Sequence, residues 1–237
     1  MEHKKEYVQE CFNTIADNYD QMNNLMTWGM LKGWQKLVMS KTKLKSGDKA
    51  LDVCCGTGEM AFQMKEIVGT GEVTGLDFSE NMLAVAQKKL AENPRKGLNF
   101  VQGDAMNLPF SDNTFRAATN GFALRNVLDI PKTISEMARV VDKGGMVVCI
   151  DVSRPKNPLC RAFFNVYYFK FVPILGHIFD KNKKVAGKMP AYTWLAESLR
   201  NFPNQDTIKS YFEAAGLKNC GYKGVGFGAA TVYWGEK

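Results

Sequence analysis

Histidine is almost missing from this chain: only His3 and His177 occur in 237 residues. His177 sits among aromatics and reads as structural, so neither imidazole is assigned to catalysis. Cysteines stand at positions 11, 54, 55, 149, 160 and 220 without metal-ligand spacing. Adjacent thiols such as Cys54 and Cys55 do not readily close on one ion, and Cys149 reads as strand core. Reduced thiols are expected rather than disulfides, and no metal. No apolar leader follows the charged N-terminus, which argues against a signal peptide. No uninterrupted apolar run is long enough to span a bilayer. Leu159–Phe179 holds seven aromatics but is broken by Arg161, Lys170, Pro173 and His177. A cytoplasmic protein is expected, with peripheral contact at the inner face of the plasma membrane left open. Repeats, low-complexity linkers and RNA-binding signatures are absent, and nucleic acid is not an expected partner.

What is present is material for a core. Hydrophobic residues make up 45 % of the chain and prolines number eight, a composition unlike that of disorder. The length suits a single domain over residues 1–237. Within it, residues 1–45 are expected to form a helical N-terminal lid and residues 155–192 an apolar cap over the substrate. The 31 basic and 24 acidic residues leave a net charge of +7. Solvated lysines account for such an excess, and so does attraction to anionic lipid or an acidic partner. A homodimer is compatible with either.

Apolar positions at helical spacing over residues 4–20 predict an N-terminal helix, followed by another over 28–40. From Lys49 onward, strands and helices alternate as in parallel βαβ units. Strands are expected over 49–54, 72–76, 98–102, 115–119 and 146–151. Helices are expected over 58–68, 79–92 and 132–141, with Ser79 capping the second of them. Gly144-Gly145 reads as the turn into the fifth strand. Helical segments near 192–201 and 205–215 then precede a two-stranded hairpin over 216–234. The sum is a Rossmann-like α/β fold: a seven-stranded, mostly parallel sheet whose last strand runs antiparallel.

The strongest chemical signal lies in residues 50–59. An apolar strand ends in Cys55-Gly56-Thr57-Gly58 and opens a helix, where doubly wound folds bind adenine cofactors. Asp52 and Glu59 flank the glycines, and no Lys or Arg lies between them. That charge repels a pyrophosphate and attracts a sulfonium and an α-amino group, both carried by S-adenosylmethionine. Gly56 and Gly58 allow close backbone approach, and Thr57 offers one hydrogen bond. Asp77, closing the second strand, can accept both ribose hydroxyls. Asp104, after the third, can accept from the adenine amino group while the Ala105 amide donates to a ring nitrogen. Phe78 and Met82 would wall the adenine. Gly56-x-Gly58-x-x-Ala61 also satisfies a relaxed nicotinamide dinucleotide fingerprint, but Asp104 and the acidic flanks favour S-adenosylmethionine.

Two runs are more specific: Tyr19-Asp20-x-Met22-Asn23 and Phe122-Ala123-Leu124-Arg125-Asn126-Val127. With Leu51–Gly58, Gly103-Asp104-Ala105, Leu108-Pro109-Phe110 and Leu195-Ala196-Glu197-Ser198, they resemble the UbiE/MenG family of quinone C-methyltransferases nearly end to end. The resemblance implies a class I methyltransferase fold and S-adenosylmethionine as methyl donor. It implies a polyprenylated quinol as acceptor, demethylmenaquinol or 2-methoxy-6-polyprenyl-benzoquinol. Carried over by position, cofactor contacts fall on Thr57, Asp77, Asp104 and Ala105, and on Gly121 through backbone alone. Where that family usually carries histidine, this chain has Leu31 and, near the C-terminus, Tyr233 or Trp234.

Methyl transfer from a sulfonium is an in-line displacement for which the protein positions and desolvates the partners. A ring carbon becomes nucleophilic when a quinol hydroxyl loses its proton. Arg125 would stabilise the phenolate, since a guanidinium is too weak a base to take that proton itself. Asp151, closing the fifth strand, is the expected base. Asn126 would orient the substrate oxygen, and Tyr19 and Asp20 would belong to the lid. Another hydrophobic acceptor such as a sterol or phospholipid amine, an NAD-dependent oxidoreductase, and a binding module without turnover stay as alternatives. Arg125 argues against a cationic amine, which calls for an aromatic or carboxylate cage.

Overall fold

A computed structural model describes residues 2–174 and 184–237. Strands β1 (Lys49–Val53), β2 (Glu72–Asp77), β3 (Leu98–Gln102), β4 (Phe115–Gly121), β5 (Val141–Val152), β6 (Lys218–Val225) and β7 (Ala230–Glu236) form one sheet. Their order is β3-β2-β1-β4-β5-β7-β6, with β7 antiparallel to both its neighbours and inserted between them. The α/β architecture with an antiparallel last strand is therefore as expected.

The central strands are covered on both faces, so they read as continuous apolar runs rather than alternation. In β1, Ala50, Leu51, Asp52 and Val53 are all buried. Along β5, Val147 and Cys149 join the cluster that includes Ile134, Met137 and Phe212, while Val148 and Ile150 join Val38 and Met60. Successive side chains thus bind a helical layer to each face. The helices concerned are α3 (Leu31–Thr42) and α4 (Glu59–Val68) on one side, α6 (Ile130–Val140) and α9 (Gln205–Ala214) on the other. α5 (Glu80–Glu92) starts where Ser79 Oγ accepts from the Met82 amide at 3.2 Å. A cap of this kind stabilises a helix by about 1 kcal/mol.

Several boundaries differ from the sequence reading. α6 begins at Ile130 because Asp129 Oδ1 caps the Lys132 amide at 2.9 Å. β5 begins at Val141, and Gly144-Gly145 lies inside it rather than before it. The Gly144 amide donates to the Lys237 carbonyl at 2.8 Å, and the Lys237 amide donates to Gly145 at 3.0 Å. Any Cβ on Gly145 would sit 2.6 Å from the Arg116 carbonyl, so the strand bulges there only with glycine. The N-terminal helix breaks at a 3-10 turn, Ala16–Asn18, into α1 (Glu2–Ile15) and α2 (Tyr19–Met26). Left-handed Trp28 (φ 52°) and Gly29 (φ 72°) delay α3 to Leu31.

After β5, α7 (Pro158–Val166) runs into a π-helical turn at Tyr167–Phe171. Phe164, Tyr168 and Val172, four residues apart, are buried against Ala196 and Leu199 near α8 (Ala191–Glu197). His177 and the end of the aromatic segment lie outside the described residues.

Candidate functional site

The carboxyl ends of β1, β2 and β4 converge, and their backbone is bent to meet there. Cys54 (φ 57°) and Phe122 (φ 59°) both take left-handed torsions without being glycine. Each costs about 1–3 kcal/mol and persists only where surrounding structure enforces it. Asp77 clamps the glycine loop: Oδ2 accepts from the Gly56 amide at 2.8 Å and Oδ1 from the Ser79 amide at 2.9 Å.

Three cavities open around this junction. The first, about 750 Å³, is lined by Asp77, Phe78, Met82, Gly103, Asp104 and Ala105 among others, with no Lys or Arg. Asp104 Oδ1 accepts from the Met106 amide at 2.9 Å. The second, about 1200 Å³, lies beyond Gly56 and is lined by Lys32, Gln35, Asp52, Thr57 and Glu59. The third, about 700 Å³, is walled by Met26, Leu31, Trp34, Phe164, Tyr167 and Tyr168, with Arg125 as its charged residue. Tyr19 and Phe122 line all three. Gly121 lines the first two, and a Cβ there would press on Met60 Cε at 2.9 Å.

Asp52 is buried, with Oδ1 accepting from Thr119 Oγ1 at 2.7 Å and Oδ2 left without a partner among the described residues. Burial, reinforced by Asp77 and opposed by Thr119, pushes its carboxyl up to about 7. Glu59 behaves differently from the sequence reading. Lys89 Nζ donates to Glu59 Oε1 at 3.1 Å, so the acidic flank of the loop is carried by Asp52. Lys89 also pairs with Asp20, whose Oδ1 accepts from Thr57 Oγ1 at 2.6 Å. Asp20 thereby ties α2 to the loop.

Two expected site residues lie apart from the cavities. Gly58 lines none of the three cavities; at φ 85°, with Phe100 Cζ 2.8 Å from any Cβ, it serves helix entry and packing. Asp151 lines none of them either. Its Oδ1 holds Arg125 Nη1 and the Val152 amide, and its Oδ2 holds the Arg125 amide at 3.1 Å. This carboxylate is fully buried, and both its oxygens are engaged by Arg125 and Val152. Burial works against the Arg125 charge, but Asp151 more than restores it and holds the guanidinium protonated. Arg125 Nη1 also donates to the Phe122 carbonyl at 2.7 Å, while Nε has no partner among the described residues. Asn126 faces the first cavity, its Oδ1 accepting from Trp194 Nε1 at 3.2 Å. Phe122, Trp34 and Tyr168 escaped individual assignment from sequence, because the backbone twist and cross-chain packing that aim them leave no local pattern.

Among the described residues, no group of three or more His, Cys, Asp or Glu is placed to hold a metal ion. The sheet order, the glycine loop after β1 and the acidic ends of β2 and β3 define a class I S-adenosylmethionine-dependent methyltransferase. Solved structures of that class share the fold. One from Thermotoga maritima superposes with a TM-score of 0.66 at 20 % identity over 96 % of this chain and 98 % of its own. Another, from Aquifex aeolicus, gives 0.60 at 19 % over 85 % and 88 %.

The model of the ubiE/COQ5 methyltransferase family matches residues 1–237, and the chain belongs to that family. It is 44 % identical over 235 residues to a demethylmenaquinone methyltransferase of Lysinibacillus sphaericus, covering 99 % of this chain and 97 % of that one. A demethylmenaquinone methyltransferase of Desulfitobacterium hafniense is 43 % identical over 99 % of this chain and 91 % of its own. S-Adenosylmethionine is the methyl donor.

Proposed function

We propose that this enzyme methylates a ring carbon of a polyprenylated quinol, demethylmenaquinol before the 2-methoxy-6-polyprenyl-benzoquinol. The observation that carries this reading is the third cavity. It is apolar and aromatic, has Arg125 and no carboxylate in its wall, and meets the other two at Tyr19 and Phe122. Such a wall suits a greasy acceptor that turns anionic and disfavours a cationic amine. The relatives' names point the same way.

The residues present fit the donor. Its ribose would bind Asp77, and its adenine would lie between Phe78 and Met82 beside Asp104 and Ala105. Its α-amino group would lie toward Asp52, whose Oδ2 is buried and without a partner among the described residues, and its carboxylate would lie toward Lys32. When bound, it supplies the electrophilic methyl group. The acceptor hydroxyl gives its proton to solvent before the junction closes, and Arg125, held by Asp151, favours the ionised ring oxygen; an opposite charge at contact lowers a hydroxyl's pKa by about 1–3. Tyr19 and Phe122 close the junction against water. Residues 1–45 act as the lid, and from the cap Phe164, Tyr167, Tyr168 and Val172 contribute to the acceptor wall.

The test is turnover of labelled S-adenosylmethionine on demethylmenaquinol, the benzoquinol, a sterol and phospholipid amines. Label in the quinols alone is expected, and label only in amines or sterol rejects the reading.

Two further outcomes follow. Asp52 is largely protonated below about pH 7, where it attracts a cation weakly, so donor affinity is expected to climb between about pH 6 and about pH 8 with proton release on binding. Calorimetry in buffers of different ionisation enthalpy reads that proton, and Asp52→Asn is expected to abolish the climb. Asp20→Ala severs the ties to Thr57 and Lys89 together. It is expected to raise the donor KM about tenfold with kcat nearly unchanged, since two partly exposed charge-assisted contacts are lost. Steady-state kinetics at saturating quinol would measure the split.

A further inference from the structure

The helical stretch from Pro158 to Ile174 has two apolar faces, and only one of them is covered. Phe164, Tyr168 and Val172 are buried, whereas Leu159, Phe163, Val166 and Ile174 turn outward and are 57–71 % exposed. Two other exposed aromatics neighbour residues that line the third cavity. Trp28 is 75 % exposed, follows the cavity residue Thr27 and packs on Tyr167 at 6.4 Å between ring centroids. Phe227 is 87 % exposed, in the turn between Gly226, which abuts Trp34, and Gly228, which abuts Pro155. An apolar patch around a pocket mouth is rare on a surface that faces only water.

Charge says what the patch meets. Residues 152–190 contain eight Lys or Arg and a single acidic residue, Asp180. Their excess equals the net +7 of the whole chain, so the other residues balance. Arg154, Arg161, Lys170 and Arg200 line one groove beside α7. Arg154 donates to the carbonyls of Leu199 and Arg200, and Arg161 to those of Pro155 and Lys156, and neither guanidinium meets a carboxylate among the described residues. Among the described residues Arg200 is the one of the four that is paired, with Glu197. No helix among the described residues is long and apolar enough to cross a membrane. Aromatic and aliphatic side chains flanked by cations are the signature of a helix lying in a bilayer interface.

We propose that this face docks on an anionic lipid bilayer and sets the mouth of the third cavity against the membrane surface. The choice of a bilayer rests on the acceptor reading above only in explaining why the mouth should face lipid; the docking itself is read without turnover. In sedimentation with vesicles, the full-length protein is expected to bind mixed phosphatidylglycerol and phosphatidylcholine at least about tenfold more tightly than phosphatidylcholine alone, and less at high salt. Phe163→Ser with Ile174→Ser, and separately Lys170→Glu, should each weaken that binding about tenfold. Turnover of a short-chain, water-soluble quinol should stay unchanged in all of them. Equal binding to both vesicle types, or partition unmoved by the substitutions, overturns the proposal. So does a wild-type dimer that Phe163→Ser with Ile174→Ser makes monomeric without loss of vesicle binding, which would assign the face to a second copy of the chain. Docking without quinol turnover would sink the acceptor reading and leave the docking standing.

Discussion

Replacing Arg125 by methionine is expected to lower kcat on a demethylquinol by about 10³-fold, with S-adenosylmethionine affinity nearly unchanged. The effect is large because Arg125 is the charge in the wall of an otherwise apolar cavity. Low polarity magnifies what a single cation does for a developing phenolate. The substitution has a second consequence, since Arg125 and Asp151 form an ion pair that is almost wholly buried. Removing one partner from such a pair costs about 3–5 kcal/mol of stability, whereas replacing both by apolar residues is often neutral. The double variant Arg125→Met with Asp151→Leu is therefore expected to regain most of the lost thermal stability and none of the turnover. Thermal unfolding and single-turnover label transfer, measured on both variants, separate the two effects. Recovery of activity along with stability would show that Arg125 merely supports the fold.

Asp77→Asn is expected to weaken S-adenosylmethionine binding about 100-fold, a loss of about 2.7 kcal/mol. Asparagine keeps the volume but offers one acceptor oxygen where the carboxylate offers two. The amides of Gly56 and Ser79 already claim one oxygen each. The Nδ2 group of asparagine would face one of those donors, so either the loop loosens or the ribose loses a charge-assisted partner. Both outcomes reduce affinity. Calorimetry reads it directly, and an affinity within about threefold of wild type would remove Asp77 from the donor site.

The framework was legible because its signals are local. Apolar strands such as Ala50–Val53 and Val147–Ile150 stand out, and Ser79 announces its helix by position alone. The boundaries that moved depend on partners distant in sequence: Gly144-Gly145 enters β5 because Lys237 pairs across it. The site divides along the same line. Asp77, Asp104, Ala105 and Met82 follow from strand ends, and the structure gathers them into one cavity. Asp151, expected as the base, shows what a local signal leaves out. A strand-end position tells nothing of side-chain direction, and the Arg125 loop folds back to consume both oxygens. Gly58 was given to the ligand when Phe100, on β3, is what demands its small size. Phe122 could be quoted as a letter in a motif, but its left-handed backbone arises only from the meeting of β4 and the loop after it.

The tether from Asp20 to Thr57 and Lys89 also fixes a wall of the site. Tyr19, the neighbour of Asp20, borders all three cavities, so any shift of α2 moves a surface that they share. Cutting the tether therefore loosens the hold on the donor and leaves in place Arg125, the charge that serves the acceptor.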